Sequence, residues 1–85
     1  MNQHAKVKIA ILRSLKRMPK TYTMRDEALR AEVCLDVQPR PTLLELEDAL
    51  TDLEQSSCII GTRNELTVVR KWMITDAGIL QLGQI

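Results

Sequence analysis

Apolar side chains recur with a helical period near the start of the chain. Over residues 3–18, Ala5, Val7, Ile11, Leu12, Leu15 and Met18 share one face, and Lys6, Arg13 and Arg17 lie opposite. Pro19 ends this element, because a residue preceding proline avoids the helical region. A second helix is predicted from Thr23 to about residue 36. Thr23 suits the N-cap, and Asp26 and Glu27 suit the first turn, where the helix dipole favours carboxylates. Met24, Ala28, Leu29, Ala31 and Leu35 supply its apolar face. Two prolines within residues 37–42 then break the helical pattern. Thr42 and Glu45 fit a capping box. A third helix follows over residues 43–55, with Leu43, Leu46, Ala49, Leu50 and Leu53 as its stripe.

The period then changes from helical to alternating. Ser56 and Ser57 stop the third helix, and Cys58, Ile59 and Ile60 form a short strand-like run. Residues 61–65 read as a turn. Residues 66–74 read as a strand with Val68, Trp72 and Ile74 on one face and Val69, Lys71 and Met73 on the other, so the region is a hairpin. Thr75 caps a short last helix over residues 76–82, weakened locally by Gly78. No linker, repeat or low-complexity stretch interrupts the 85 residues. Length and pattern together predict one α+β domain spanning 1–85. At this size a chain buries only roughly 60 % of its unfolded surface, so dimerisation would help its stability.

Composition removes several function classes. Hydrophobic residues make up 45 % and charged residues 27 %, an ordinary globular balance. No apolar run approaches the roughly 18 residues of a membrane span, and no cleavage-type leader is read, so a cytoplasmic protein without membrane contact is expected. Cys34 and Cys58 sit among apolar neighbours and are expected as reduced, buried thiols, with a disulfide or redox switch as the alternative. His4 is the single histidine, in a terminus expected to fray, so neither a metal site nor a general base is read from it. The three glycines, Gly61, Gly78 and Gly83, make no phosphate loop, and no nucleophile elbow occurs. No enzyme and no cofactor is expected. Trp72 and Tyr22 are the only aromatics, too few for a single-strand stacking platform.

The order of three helices, a hairpin and a short closing helix resembles the winged helix-turn-helix family. Leu46-x-x-Ala49-Leu50-x-x-Leu53-Glu54 running into Ser56-Ser-Cys-Ile-Ile60 looks like that family's third helix entering its first wing strand. Arg70-Lys-Trp72-Met-Ile74-Thr75-Asp-Ala-Gly78 is similar to the family's aromatic-x-Leu-Thr-x-x-Gly exit from the second wing strand. The proline-rich break before a capped helix resembles the turn between helices two and three. In size and layout the chain also resembles small winged-helix proteins of Mu-like phages. Taken singly, Leu46, Leu50 and Leu53 would serve in any core helix; the resemblance rests on order and spacing over nearly the whole chain. It implies a small DNA-binding transcriptional regulator, with helix three in the major groove and the hairpin wing on the backbone.

The net charge of +1 hides a polarity. Residues 1–24 carry six bases and no acids, whereas residues 41–58 carry five acids and no bases. DNA affinity comes largely from cations meeting phosphates, and base edges are read mainly by Arg, Lys, Asn and Gln. Helix three, with Glu45, Glu47, Asp48, Asp52 and Glu54, departs from that pattern. Two readings stay open. In the first, duplex DNA is contacted through the basic first helix and through Arg40, Thr42, Arg63, Asn64, Arg70 and Lys71. In the second, the domain is a protein-interaction or dimerisation module. Leu44, Glu47, Asp48 and Thr51 of helix three would then meet a basic partner, or Lys6, Arg13 and Arg17 of another copy. The two differ in where the basic face of the first helix lies relative to the hairpin.

Overall fold

The computed structural model describes residues 2–19, 22–63, 66 and 69–84. Its elements are α1 (Gln3–Lys16), β1 (Met24–Arg25), α2 (Asp26–Asp36), α3 (Leu43–Gln55), β2 (Ile59–Arg63), β3 (Arg70–Ile74) and α4 (Asp76–Gly83). The protein is therefore α+β, with four helices and a three-stranded antiparallel sheet of order β1-β3-β2 among the described residues. No helix there is long and apolar enough to cross a membrane.

Helix α1 is the central packing element and touches α2, α3, α4 and β3. Its Val7, Ile11, Leu12 and Leu15 are buried with Leu29 and Val33 of α2, Leu46, Leu50 and Leu53 of α3, and Ile59 and Trp72 of the sheet. The helix stops at Lys16, slightly before the expected residue 18. Asn2 caps its start by accepting from the Ala5 amide at 2.8 Å. His4 is held rather than frayed: its Nε2 lies 2.5 Å from Asp52 Oδ2 on α3.

Helix α3 starts and ends as its sequence demands. Thr42 Oγ1 accepts from the Glu45 amide, and Glu45 Oε1 accepts from the Thr42 amide, which completes the capping box. At the other end Ser57 adopts φ 61°, Cys58 N donates to Leu53 O, and Ser57 N donates to Glu54 O. These two bonds satisfy carbonyls the helix leaves unpaired and turn the chain into β2.

Four expectations change. Thr23 does not cap α2. Met24 and Arg25 instead form β1, pairing with Trp72 and Lys71, and Arg25 takes the N-cap position without a side-chain bond. Of the apolar set proposed for α2, Leu29 is buried, whereas Ala28, Ala31 and Leu35 face outward, with Leu35 82 % exposed. The buried partner is Val33, because α1 covers only the narrow Leu29–Val33 stripe. Leu43 is likewise 71 % exposed, outside the buried set Leu46, Ala49, Leu50 and Leu53. Residues 61–63 continue β2 rather than turning, and regular pairing in β3 begins at Arg70 rather than at residue 66. Val68 lies outside the described residues.

Two glycines are steric requirements. A Cβ on Gly61 would sit 2.7 Å from the Trp72 ring, so this position lets the indole lie flat against β2. A Cβ on Gly78 would sit 2.2 Å from the Cys58 carbonyl oxygen, which accepts from Thr75 N at 3.0 Å. Gly78 therefore lets α4 approach the Cys58 backbone, in the turn between α3 and β2, and this close approach outweighs its lower helix propensity. Thr75 caps α4 as expected, accepting from Gly78 N. Cys58 is buried and Cys34 half-buried, and both are free thiols.

Candidate nucleic-acid interface

The sheet sorts neighbouring residues onto opposite sides, because side chains alternate along a strand. Trp72 and Met24 face the core and are directly paired. The next pair, Arg25 and Lys71, therefore faces solvent, and both residues are exposed. Lys71 is also opposite Thr62, whose hydroxyl donates to the Lys71 carbonyl at 3.5 Å. One step further, Arg63 is paired with Arg70. Two successive like-charge pairs thus cross this small sheet, an arrangement that destabilises a sheet unless the charges are compensated. No ion pair reaches Arg25, Lys71 or Arg63 among the described residues.

Arg70 is compensated. Its Nη2 donates to Glu47 Oε1 at 2.8 Å and lies 3.6 Å from Asp26 Oδ1, and its guanidinium stands 5.1 Å from the Trp72 ring centroid. Arg30 completes the cluster. Its Nε donates to Asp26 Oδ2 at 2.6 Å, and its Nη2 donates to Glu47 Oε1. Trp72 Nε1 donates to Asp26 Oδ1 at 2.8 Å. The four charges cancel and bind the start of α2, the second turn of α3 and the start of β3 together. Burial opposes ionisation of Asp26, but bonds from Trp72 and Arg30 and the two guanidinium charges hold its carboxyl below the usual range. The bond from Arg30, against a smaller effect of burial, holds Glu47 low as well. Burial weakens the Arg30 charge, and its bonds to Asp26 and Glu47 outweigh that and raise its pKa.

The acidity of α3 is largely consumed at home. Glu45 serves the cap, Glu47 the Arg30–Arg70 cluster, and Asp52 the His4 contact. Asp48 is exposed and has no ion-pair partner among the described residues. Leu44 and Thr51 are exposed beside it, Leu44 at 69 %. Thr42 is exposed, with its hydroxyl engaged as the cap, and Arg40 is exposed in the preceding loop. Asn64 lies outside the described residues.

Lys6, Arg13 and Arg17 stand elsewhere. They line a groove with Asp36, Val37 and Gln38 at the end of α2, where Arg17 pairs with Asp36 at 3.7 Å. The Arg70 cluster holds Asp26 at the start of α2, about 15 Å away along the helix axis. The structure therefore does not bring Lys6, Arg13 and Arg17 beside the Arg70 cluster, whereas Lys16 of α1 does line a groove with Ile60, Met73 and Ile74 of the hairpin. It adds one cation to the sheet that the sequence did not single out, Arg25. The signal for it was the Met24-Arg25 dipeptide as a strand, which is too short to show alternation.

No family model matches the sequence, and neither does any curated protein. Among solved structures, the fold is similar to that of a candidate transcriptional regulator from Thermoplasma acidophilum. That match has a TM-score of 0.73 and 18 % sequence identity, and it covers 95 % of this chain and 75 % of the other. At that identity the likeness is one of fold.

Proposed function

We propose that residues 1–85 form a winged-helix domain that binds duplex DNA as a small transcriptional regulator, with the sheet supplying most of the phosphate contacts. The order α1-β1-α2-α3-β2-β3 supports this reading, with β2 and β3 as the wing, as does the fold shared with a candidate regulator. The observation that carries it is the exposed pair of Arg25 and Lys71, held directly opposite each other with no ion-pair partner among the described residues. Polyanion binding relieves that repulsion and releases counterions. Arg40, exposed in the loop before α3, is a further candidate contact. Arg63 is paired with Arg70 and so lies on the other side of the sheet from Lys71. Asn64, outside the described residues, is a candidate on sequence grounds. Arg70 is a positioning residue: its bonds to Glu47 and Asp26 fix β3 against α2 and α3 and so aim Lys71 outward.

Helix α3 contributes little charge to this mode. Asp48, Thr51 and Glu54, whose side chains have no bond among the described residues, suit at most a contact with a cytosine amino group or a neutral base edge. Duplex binding measured against salt tests the reading. Binding should weaken steeply with salt, and Lys71→Ala and Arg25→Ala should each lower the log–log slope by about one. Absence of duplex binding at low salt, or variants indistinguishable from the parent, would overturn it. A second reading, a protein-interaction winged helix, draws on the exposure of Leu43 and Leu44, at 71 % and 69 %. It predicts self-association or partner capture that is lost when Leu44 is replaced by Asp.

A further inference from the structure

We propose that the groove between α1 and the end of α2 is a docking site for an acidic, partly apolar segment of a partner protein. This goes beyond the DNA reading and does not rest on it. The groove has a volume of about 460 Å³ and is lined along α1 by Lys6, Ile9, Ala10, Arg13 and Arg17. Lys6 and Arg13 are separated by about 10 Å along the helix axis, and Arg13 and Arg17 by about 6 Å, so three cations follow one rim. All three are exposed, and Lys6 and Arg13 have no ion-pair partner among the described residues.

Two features favour a peptide over a nucleic-acid backbone. The floor is apolar, formed by Ile9, Ala10 and Val37, and rewards a hydrophobic side chain but not a phosphate. The groove also already takes a carboxylate, since Asp36 reaches Arg17 at 3.7 Å and occupies one of the three cationic positions. The wall opposite α1 is fixed, because Gln3 Nε2 donates to the Pro39 carbonyl at 2.8 Å and clips the loop after α2 to the start of α1. A ligand segment carrying two carboxylates with an apolar residue between them would satisfy Lys6 and Arg13 and cover the floor.

Fluorescence anisotropy with a labelled peptide in which leucines are spaced by glutamates tests this. A glutamine-for-glutamate peptide and a random-sequence DNA duplex run beside it. The glutamate peptide should bind, the glutamine peptide should not, and Lys6→Glu with Arg13→Glu should weaken binding at least about tenfold. Lys6→Ala with Arg13→Ala provides a milder second variant, and circular dichroism checks that both remain folded. Arg25→Glu with Lys71→Glu should leave peptide binding unchanged, whatever it does to the duplex. Amide shifts on titration should fall at Ile9, Ala10 and Val37. The proposal is overturned if the glutamate peptide does not bind, if the glutamine peptide binds equally well, or if the Lys6 and Arg13 variants lose duplex affinity and not peptide affinity. The last result would make the groove a phosphate surface.

Discussion

Arg70 and Lys71 are adjacent in the chain, as are Arg25 and Asp26, yet their charges meet opposite fates. On the inner side of the sheet, Arg70 and Asp26 join Arg30, Glu47 and Trp72 in a charge-balanced cluster joining three elements. On the outer side, Lys71 and Arg25 face each other with no ion-pair partner among the described residues. Strand alternation separates Arg70 from Lys71, and the change from β1 to α2 separates Arg25 from Asp26. A count of basic residues would treat Arg25, Arg70 and Lys71 alike. The contrast separates cations bonded inward, which tie the fold together, from cations left facing one another in solvent.

Substitutions can break this contrast from the inner side first. Trp72→Ala should have the largest effect, lowering stability by about 3–5 kcal/mol in urea unfolding, because a fully buried indole leaves a cavity and Asp26 loses a donor. A loss below about 1 kcal/mol would show that the ring is not the centre of the core. Arg30→Met should come next, at about 1–2 kcal/mol. That is less than for a fully buried pair, because the Glu47 side chain is more than a third exposed.

Acid offers a milder test of the same cluster. Asp26 and Glu47 both have folded pKa values below their unfolded ones, so their contribution is present above the unfolded values, near 3.9 and 4.3. It is lost as pH falls through the folded values. Stability should therefore be flat with respect to these groups from about pH 5 to 7 and decline below about pH 4. In Arg30→Met that acid-dependent loss should be smaller, as unfolding followed against pH would show. A parent and variant with the same acid slope would remove the cluster from the account.

The outer pair should respond in the opposite direction. Lys71→Thr should raise stability slightly, by about 0.2–0.5 kcal/mol, while weakening duplex binding several-fold. A destabilised Lys71→Thr protein would mean that the outer lysine has a structural partner, and the contrast between the two sides would fail.

Elements whose information is local were legible before the fold was known. The extent of α3 follows from a capping box and two serines, all within a few residues of its ends. The start of α4 follows from Thr75, and the face of α1 from one regular stripe. Elements that depend on a distant partner were not. Ala28, Ala31 and Leu35 repeat at helical spacing and look like a core stripe, yet α1 reaches only the side of α2 bearing Leu29 and Val33. A strand of two residues, β1, has no period to read and exists because β3 passes beside it. Gly78 looks like a weakness in a helix until the Cys58 carbonyl is placed against it.

Charge followed the same division. The sequence by itself determined that the first helix is basic, the third acidic and the hairpin mixed. It also determined most of the order of helices and strands. Only the tertiary structure decided which charges remain available. Ion pairing acts over a few ångströms between residues far apart in the chain, such as Glu47 with Arg70 and His4 with Asp52. No local pattern encodes such distances, so Glu45, Glu47 and Asp52 of α3 became engaged in contacts within the fold while Arg25 and Lys71 became the exposed pair.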